Sequence, residues 1–197
     1  MQRTVEKPFY SGLAASRRQF LEHVSGATLS AGAIALLAGL PGFAQANHAR
    51  EEEHQSDIAI LNAAIGAEHQ AIAAYQAGAE SGLLEQPVLA VAVSFQGHHK
   101  EHVELLSETV KKLGGVPSHP LADYRFPLDR LNSQKDVLEF AAGLERGAVT
   151  AYAGAIPAFE SRDLAQAAAS ILSDEAMHWA VLRNALGLEP VPGAFFS

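Results

Sequence analysis

The chain has 197 residues, of which 48% are hydrophobic and 18% are charged, a balance typical of one compact domain with an apolar core. Its formal net charge is −8 at pH 7, so it lacks the positive surface that nucleic-acid binding requires. Cysteine is absent, so the fold must rest on its core or on a bound group rather than on disulfides.

The first 46 residues have the order of features expected of an export signal. A twin-arginine motif, Ser16-Arg17-Arg18-Gln19-Phe20-Leu21, precedes an apolar run of small residues from Gly26 to Phe43, and Ala44-Gln45-Ala46 then forms a cleavage box. This order predicts a cleaved signal peptide, a periplasmic or other extracytoplasmic location, and a mature chain that begins at Asn47. An uncleaved membrane anchor is the alternative, because the apolar run is about long enough to span a tilted or thinned bilayer. The cleavage box favours removal of the segment, and hence no stable membrane insertion.

The mature chain is predicted to contain a linker over residues 47–55, a domain over residues 56–188 and a tail over residues 189–197. Residues 1–46 carry four basic and two acidic side chains, so ten basic and twenty acidic ones remain, a formal net charge of −10. The exclusion of nucleic acid as a partner is therefore stronger for the mature chain than for the precursor.

Four segments of the domain have apolar residues at helical rather than alternating spacing. Capping residues, glycines and prolines mark their ends. The helices are predicted to run from Ser56 to Glu80, from Pro87 to Leu113, from Ser133 to about Phe159 unless Pro157 ends the helix early, and from about Arg162 to Leu186.

The connections between these helices predict their arrangement. The first and third joints are short, so each joins an antiparallel hairpin. Residues 114–133 between the second and third helices include three prolines and are numerous enough to cross the length of a bundle. We therefore predict an all-α four-helix bundle of two antiparallel hairpins joined by a long crossover.

A repeated pattern places carboxylates in the apolar face of three helices. Residues 68–75 and 145–152 share E-x-x-A-[I/V]-x-A-Y, 77 residues apart. At about 100° per residue, Glu68 and Glu145 lie in the middle of the apolar stripes of their helices, as does Glu175 on the fourth. Buried carboxylates need a positive partner, and no lysine or arginine lies at the centre of these stripes. The tyrosines that end the two repeats, Tyr75 and Tyr152, are expected to be core aromatics whose hydroxyls can reach a ligand.

The second helix contains the stretch FQGHHKEHVELL, in which His99 and His102 lie within the apolar stripe. His98 lies at its edge, and Glu101 points outward. A shift of one residue in register would exchange these two pairs. With the inward pair, the predicted metal site consists of three carboxylates and three imidazoles, which suit iron, manganese or zinc: Glu68, His99, His102, Glu145, Glu175 and His178.

These residues resemble those of the ferritin-like superfamily, and in particular those of twin-arginine-exported bacterial ferritin-like domain proteins. In that superfamily, a carboxylate from each of two helices and a Glu-x-x-His from each of the other two hold a pair of metal ions. By this resemblance, Glu68 and Glu145 match the single carboxylates, Glu175 and His178 match one Glu-x-x-His, and His102 matches the histidine of the other. His99 stands where the pattern has glutamate.

The resemblance implies an exported metalloprotein that binds one or two iron or manganese ions, with zinc as a further option. It also implies redox chemistry on peroxide or oxygen in stress defence, as a di-metal oxidase or peroxidase. The alternative is a non-catalytic metal-binding or structural stress protein with a degenerate site, because histidine in place of glutamate lowers the ligand charge from four to three. Mineral storage by a homo-oligomer is a weaker option, since nothing in the sequence indicates a cage-forming surface.

Overall fold

The structure is a computed structural model that describes residues 41–195, with the backbone alone for residues 41–53. Helices make up most of this part, and it contains no strand. The four long helices are α1 (Pro41–Glu80), α2 (Gln86–Lys112), α3 (Gln134–Ala155) and α4 (Arg162–Ala185), and short 3₁₀ turns lie at Leu128–Arg130 and Ile156–Ala158. The predicted all-α four-helix architecture is confirmed.

α1 begins before the predicted N-cap at Ser56 and includes residues 47–55, so the predicted linker is helical. Residues 48–55 contain neither glycine nor proline and are rich in good helix formers, so no stop signal interrupts the helix there. The twin-arginine motif lies outside the described residues, and the predicted cleavage box falls within α1. Among the described residues, no helix combines the length and apolar character needed to cross a membrane.

The other helix ends follow from local sequence. Ser133 caps α3, because its hydroxyl accepts a hydrogen bond from the backbone N–H of Asp136 at 3.2 Å. Pro157 ends α3 at Ala155, and a 3₁₀ turn replaces the predicted last turn. After α2, a Cβ atom on Gly115 would lie only 2.9 Å from Cγ2 of Ile58, so glycine lets the crossover leave close to α1.

Contacts between side chains fix the directions of the helices. Late residues of α1 meet early residues of α2, as in the pairs Tyr75 with Phe95 and Glu68 with His99, so these helices are antiparallel. Two tyrosine–glutamate hydrogen bonds described below show that α1 and α3 are antiparallel as well. α2 and α3 both run opposite to α1 and are therefore parallel to each other, as the long crossover predicts.

Polar contacts join α1 to the two loops at its N-terminal half. The buried carboxylate of Asp57 accepts hydrogen bonds from the backbone N–H groups of Glu160 and Ser161, at 2.9 and 3.2 Å, in the turn before α4. The amide of Asn62 donates to and accepts from the backbone of residues 116–118 at the start of the crossover. These contacts hold the two loops against α1, about two to three helical turns before Glu68.

An apolar cluster fills the bundle beside the polar residues discussed next. Its buried members are Tyr75, Phe95, Leu138 and Leu182, one from each long helix. A cavity of about 230 Å³ lies against this cluster and is lined almost entirely by apolar side chains. Tyr75 belongs both to the wall of the cavity and to the polar centre, so the two features are adjacent.

Candidate metal centre

The six predicted ligands all lie in the interior of the bundle, and every long helix contributes at least one. They are Glu68 from α1, His99 and His102 from α2, Glu145 from α3, and Glu175 and His178 from α4. Five of these residues are at most 3% exposed, and the side chain of His102 is 12% exposed. The structure brings together every residue that the helical angles placed inward; their role as metal ligands stays a prediction.

The donor atoms form two overlapping groups, and within each group they lie within 4.8 Å of one another. The first group is Glu68, His99, His102 and Glu175. The second is His99, Glu145, Glu175 and His178. Two neighbouring cation positions are therefore available, and Glu175 is a carboxylate that both can share.

Several buried donor atoms of these side chains have no hydrogen-bond partner within the described part of the chain. They are Nδ1 of His102, Oε2 of Glu145, both carboxylate oxygens of Glu175 and Nδ1 of His178. The contacts of the two imidazole nitrogens with these carboxylate oxygens measure 3.2, 3.5 and 3.6 Å. Ligands bound about 2.1 Å from a metal lie roughly 3.0 to 3.4 Å apart in octahedral or tetrahedral geometry. The spacing fits donors that surround a cation.

His99 lies between the two cation positions. Its Nδ1 is 2.8 Å from Oε2 of Glu68, and its Nε2 is 3.4 Å from Oε1 of Glu145. A neutral imidazole has one lone-pair nitrogen, so it can bind a cation on one side only and donates its N–H on the other. A glutamate at this place could bridge both positions. Histidine therefore makes the two positions unequal and leaves Glu175 as the shared carboxylate.

The repeated tyrosines connect the two halves of the centre. Tyr75 donates a hydrogen bond to Oε1 of Glu145, and Tyr152 donates one to Oε1 of Glu68 at 2.6 Å. Burial and the charge of the neighbouring glutamate raise the pKa of each tyrosine well above its usual value, so both hydroxyls remain donors. Each bond fixes one carboxylate oxygen. The other oxygen of Glu145 has no hydrogen-bond partner in the described part of the chain, whereas that of Glu68 is the one 2.8 Å from Nδ1 of His99.

Without metal, protonated histidines supply the positive charge. Burial opposes protonation of His99 and His178, but their contacts with Glu145 and other carboxylates outweigh it and raise their pKa values to about 10 and about 9. The pKa of His102 is raised to about 11 by contacts with Asp174 and Glu175, again against burial. A histidine surrounded by carboxylates is a cation, so these imidazoles can offset the buried carboxylates although no lysine or arginine lies in the stripes.

The carboxylates respond in two ways to this environment. Burial opposes ionisation of Glu68, but contacts with His102 and His99 lower its pKa to about 2. The pKa of Glu145 is also lowered, because contacts with His178 and His99 outweigh burial. The pKa of Glu175, in contrast, is raised by burial and by the neighbouring glutamates. The histidines thus offset the charge of Glu175 less than the charges of Glu68 and Glu145, and Glu175 is the carboxylate shared by both cation positions.

Residues 56–188 match the family described as the ferritin-like domain. The chain belongs to this family. Several solved structures are similar to this ferritin-like domain, at sequence identities that establish the fold alone. A conserved hypothetical protein from Mycobacterium tuberculosis has a TM-score of 0.63 at 23% identity, over 73% of this chain and 99% of that chain. A ferritin-like diiron-carboxylate protein from Bacillus anthracis has a TM-score of 0.58 at 24% identity, over 68% and 97% of the two chains. A dodecameric thioferritin related to bacterioferritin, from Bacteroides fragilis, has a TM-score of 0.59 at 23% identity, over 68% and 86%. No curated protein sequence matches the chain.

Two further polar residues of this ferritin-like domain lie beside the centre. Oδ2 of Asp174 is 3.3 Å from Nε2 of His178 and 3.4 Å from Nε2 of His102, and contact with His102 lowers the pKa of Asp174. Nδ1 of His98 is 2.8 Å from Nε2 of His178. The helical angles placed His98 at the edge of the stripe, which agrees with its 42% exposed side chain. They missed Asp174, whose one signal in the sequence is its i, i+4 spacing to His178.

Proposed function

We propose that this ferritin-like domain protein binds iron at the centre of its bundle, in one or two adjacent positions, and uses it for redox chemistry on peroxide or oxygen. The observation that carries the proposal is the set of buried donor atoms without hydrogen-bond partners, all of which belong to the predicted ligands. A cation between them would satisfy these atoms, whereas the protein alone pairs them only by contacts of 3.2 to 3.6 Å. Oxygen and imidazole donors suit iron or manganese, and the diiron-carboxylate protein of similar fold favours iron.

The ligands divide between the two positions. Glu68 and His102 would hold one cation, Glu145 and His178 the other, and Glu175 would contact both. Bound iron supplies electrons to the oxidant. The protein excludes bulk water, because the ligands are buried, and the tyrosine hydroxyls orient the carboxylates. His99 retains one ring proton on the side that binds no metal, so it can hold a proton next to the oxidant.

A non-catalytic role with a single divalent ion is the second candidate, and the position of His99 favours it. The ring separates the two positions and has one lone pair, and three glutamates provide less negative charge than the four of the superfamily pattern. Such a protein would bind metal and gain stability from it without turnover. Metal binding followed by a test for oxidation separates this candidate from the first.

The first experiment measures iron content after anaerobic loading. His99→Ala and His102→Ala each remove an inward donor and should lower the iron-to-protein ratio sharply. Glu101→Ala, at an exposed position of the same helix, is the matched control and should keep the wild-type ratio. His98→Ala should also keep a ratio near that of wild type. Loss of iron in Glu101→Ala and His98→Ala, with retention in His99→Ala and His102→Ala, would contradict the assignment. A wild-type protein that takes up no iron would contradict the proposed function.

The second experiment adds peroxide or oxygen to the iron-loaded protein and follows oxidation of the ferrous ion. Oxidation faster than that of the same concentration of free ferrous iron supports the redox role. Stable ferrous protein supports the non-catalytic candidate. We further propose that the protein is exported by the twin-arginine route, which carries folded proteins and would let the metal be inserted before export.

A further inference from the structure

Three donor atoms at the outer edge of the centre form a triangle that the proposed function does not use. Nδ1 of His98 and Nε2 of His178 are 2.8 Å apart, and Oδ2 of Asp174 lies 3.3 Å from each of them. Ligands about 2.1 Å from an octahedral metal ion have neighbours roughly 3.0 Å away, close to all three edges. Two imidazoles and one carboxylate on one face are the set that binds ferrous iron in many proteins. We call His98, Asp174 and His178 the outer triad.

The outer triad extends from solvent to the interior. The side chain of His98 is 42% exposed and that of Asp174 is 26% exposed, whereas that of His178 is 2% exposed. The inner ligands Glu145 and Glu175 are at most 1% exposed. A hydrated cation can therefore reach the outer triad directly, but it cannot reach the inner carboxylates without passing buried side chains.

His178 belongs to both sites through opposite nitrogens. Nε2 faces His98 and Asp174, and Nδ1 lies 3.5 Å from Oε2 of Glu145. The ring stacks on Phe95 with 4.0 Å between the centroids, which holds its plane in this orientation. The two edges of one fixed ring therefore face the outer and inner sites.

We propose that the outer triad is a loading position, at which a divalent metal ion binds before it moves to the inner positions. The proposal rests on the proposed function, since it requires that the inner positions bind metal. A neutral imidazole offers one lone pair, so His178 binds a cation at Nε2 or at Nδ1, but not at both. The ring proton is on Nδ1 while the outer triad is occupied. It is on Nε2, directed at Asp174, when the inner position is occupied, and occupation of the two sites is therefore sequential.

A purely orienting role for Asp174 is the competing explanation, because its carboxylate also lies 3.4 Å from Nε2 of His102. Under that explanation Asp174→Asn changes the final metal content, but His98→Ala has no effect on loading. His98 is therefore the discriminating residue. Its side chain is half exposed, so its removal leaves the core packing in place.

The experiment mixes metal-free, full-length protein with limiting Co²⁺ and follows the visible absorbance of the bound ion by stopped flow. Wild type should show a fast phase from the outer triad and a slower phase from the inner positions. His98→Ala should lose the fast phase, because one of the three donors of the outer triad is removed, and should reach the same final Co²⁺ content by the slow phase alone. His119→Ala, which removes an exposed imidazole in the crossover, is the control and should load like wild type.

The outcomes separate this proposal from the function on which it rests. No Co²⁺ uptake by wild type contradicts the proposed metal centre itself. Equal loading rates in wild type and His98→Ala, with full final content, contradict the loading position alone. A lower final content in Asp174→Asn, together with unchanged kinetics in His98→Ala, establishes the orienting role instead.

Discussion

Metal binding at this centre should release protons, and the histidines set their number. In the metal-free protein the pKa values of His99, His102 and His178 are raised to about 10, about 11 and about 9 by neighbouring carboxylates, against the effect of burial. All three are then almost fully protonated at pH 8. Three histidines with the ordinary pKa of about 6.5 would together carry only about 0.1 proton at this pH. Because an imidazole must lose its extra proton to bind a metal, saturation should release about three protons per chain.

Calorimetric titration of Co²⁺ into the metal-free protein at pH 8 measures this number. The observed enthalpy is plotted against the ionisation enthalpy of several buffers, and the slope gives the protons released. In His99→Ala, the chains that still bind Co²⁺ should release about one proton fewer, because one protonated imidazole is removed. A wild-type slope near zero would show that the histidines are neutral without metal. That result would contradict the inference that these imidazoles form ion pairs with the buried carboxylates.

Three other predictions concern stability and processing. Tyr152→Phe removes the hydrogen-bond donor to Glu68. It should lower the free energy of unfolding by about 1.5–3 kcal/mol in a denaturant titration, and it should lower metal affinity by about 10–100-fold. Tyr124→Phe in the crossover is the control and should leave metal affinity unchanged. In the metal-free protein, the raised histidine pKa values give stability that is complete below about pH 6.5 and is lost as the pH rises through about 9 to 11. The lowered pKa of Glu68 gives stability that is present above about pH 4.5 and is lost as the pH falls towards 2. Together, these shifts predict that the melting temperature is highest between about pH 4.5 and 6.5. A maximum above about pH 8 would contradict their signs. Intact-mass analysis of the exported protein should give a chain that begins at Asn47, and a mass that retains residues 1–46 would favour the membrane anchor.

The helices and the inward residues could be predicted because both depend on periodicity along one chain. A helix turns by a nearly constant angle per residue, so the stripe that contains Glu68 can be found without knowing its neighbours. Capping at Ser133 and the break at Pro157 are also local effects, and the structure shows both. The start of α1 was missed because no residue near Ser56 stops a helix.

The contacts between side chains on different helices could not be predicted in this way. Which carboxylate faces which imidazole depends on the offset between neighbouring helices along the bundle axis, and periodicity contains no information on that offset. Asp174 lies about 100° from Glu175 around α4, outside the stripe, yet it reaches His178 one turn later. The charge of the histidines was missed for a related reason, because it is determined by their neighbours in space rather than in sequence.

The crossed hydrogen bonds of Tyr75 and Tyr152 have a consequence for how such a chain could arise. Each tyrosine holds the glutamate of the other half, so one helical hairpin of this design would need a second copy of itself to complete the centre. In a symmetric pair of identical hairpins, every substitution appears twice. Joining two hairpins in one chain lets each half change alone, and only then can α2 keep His99 in its inward pair while α4 keeps Glu175.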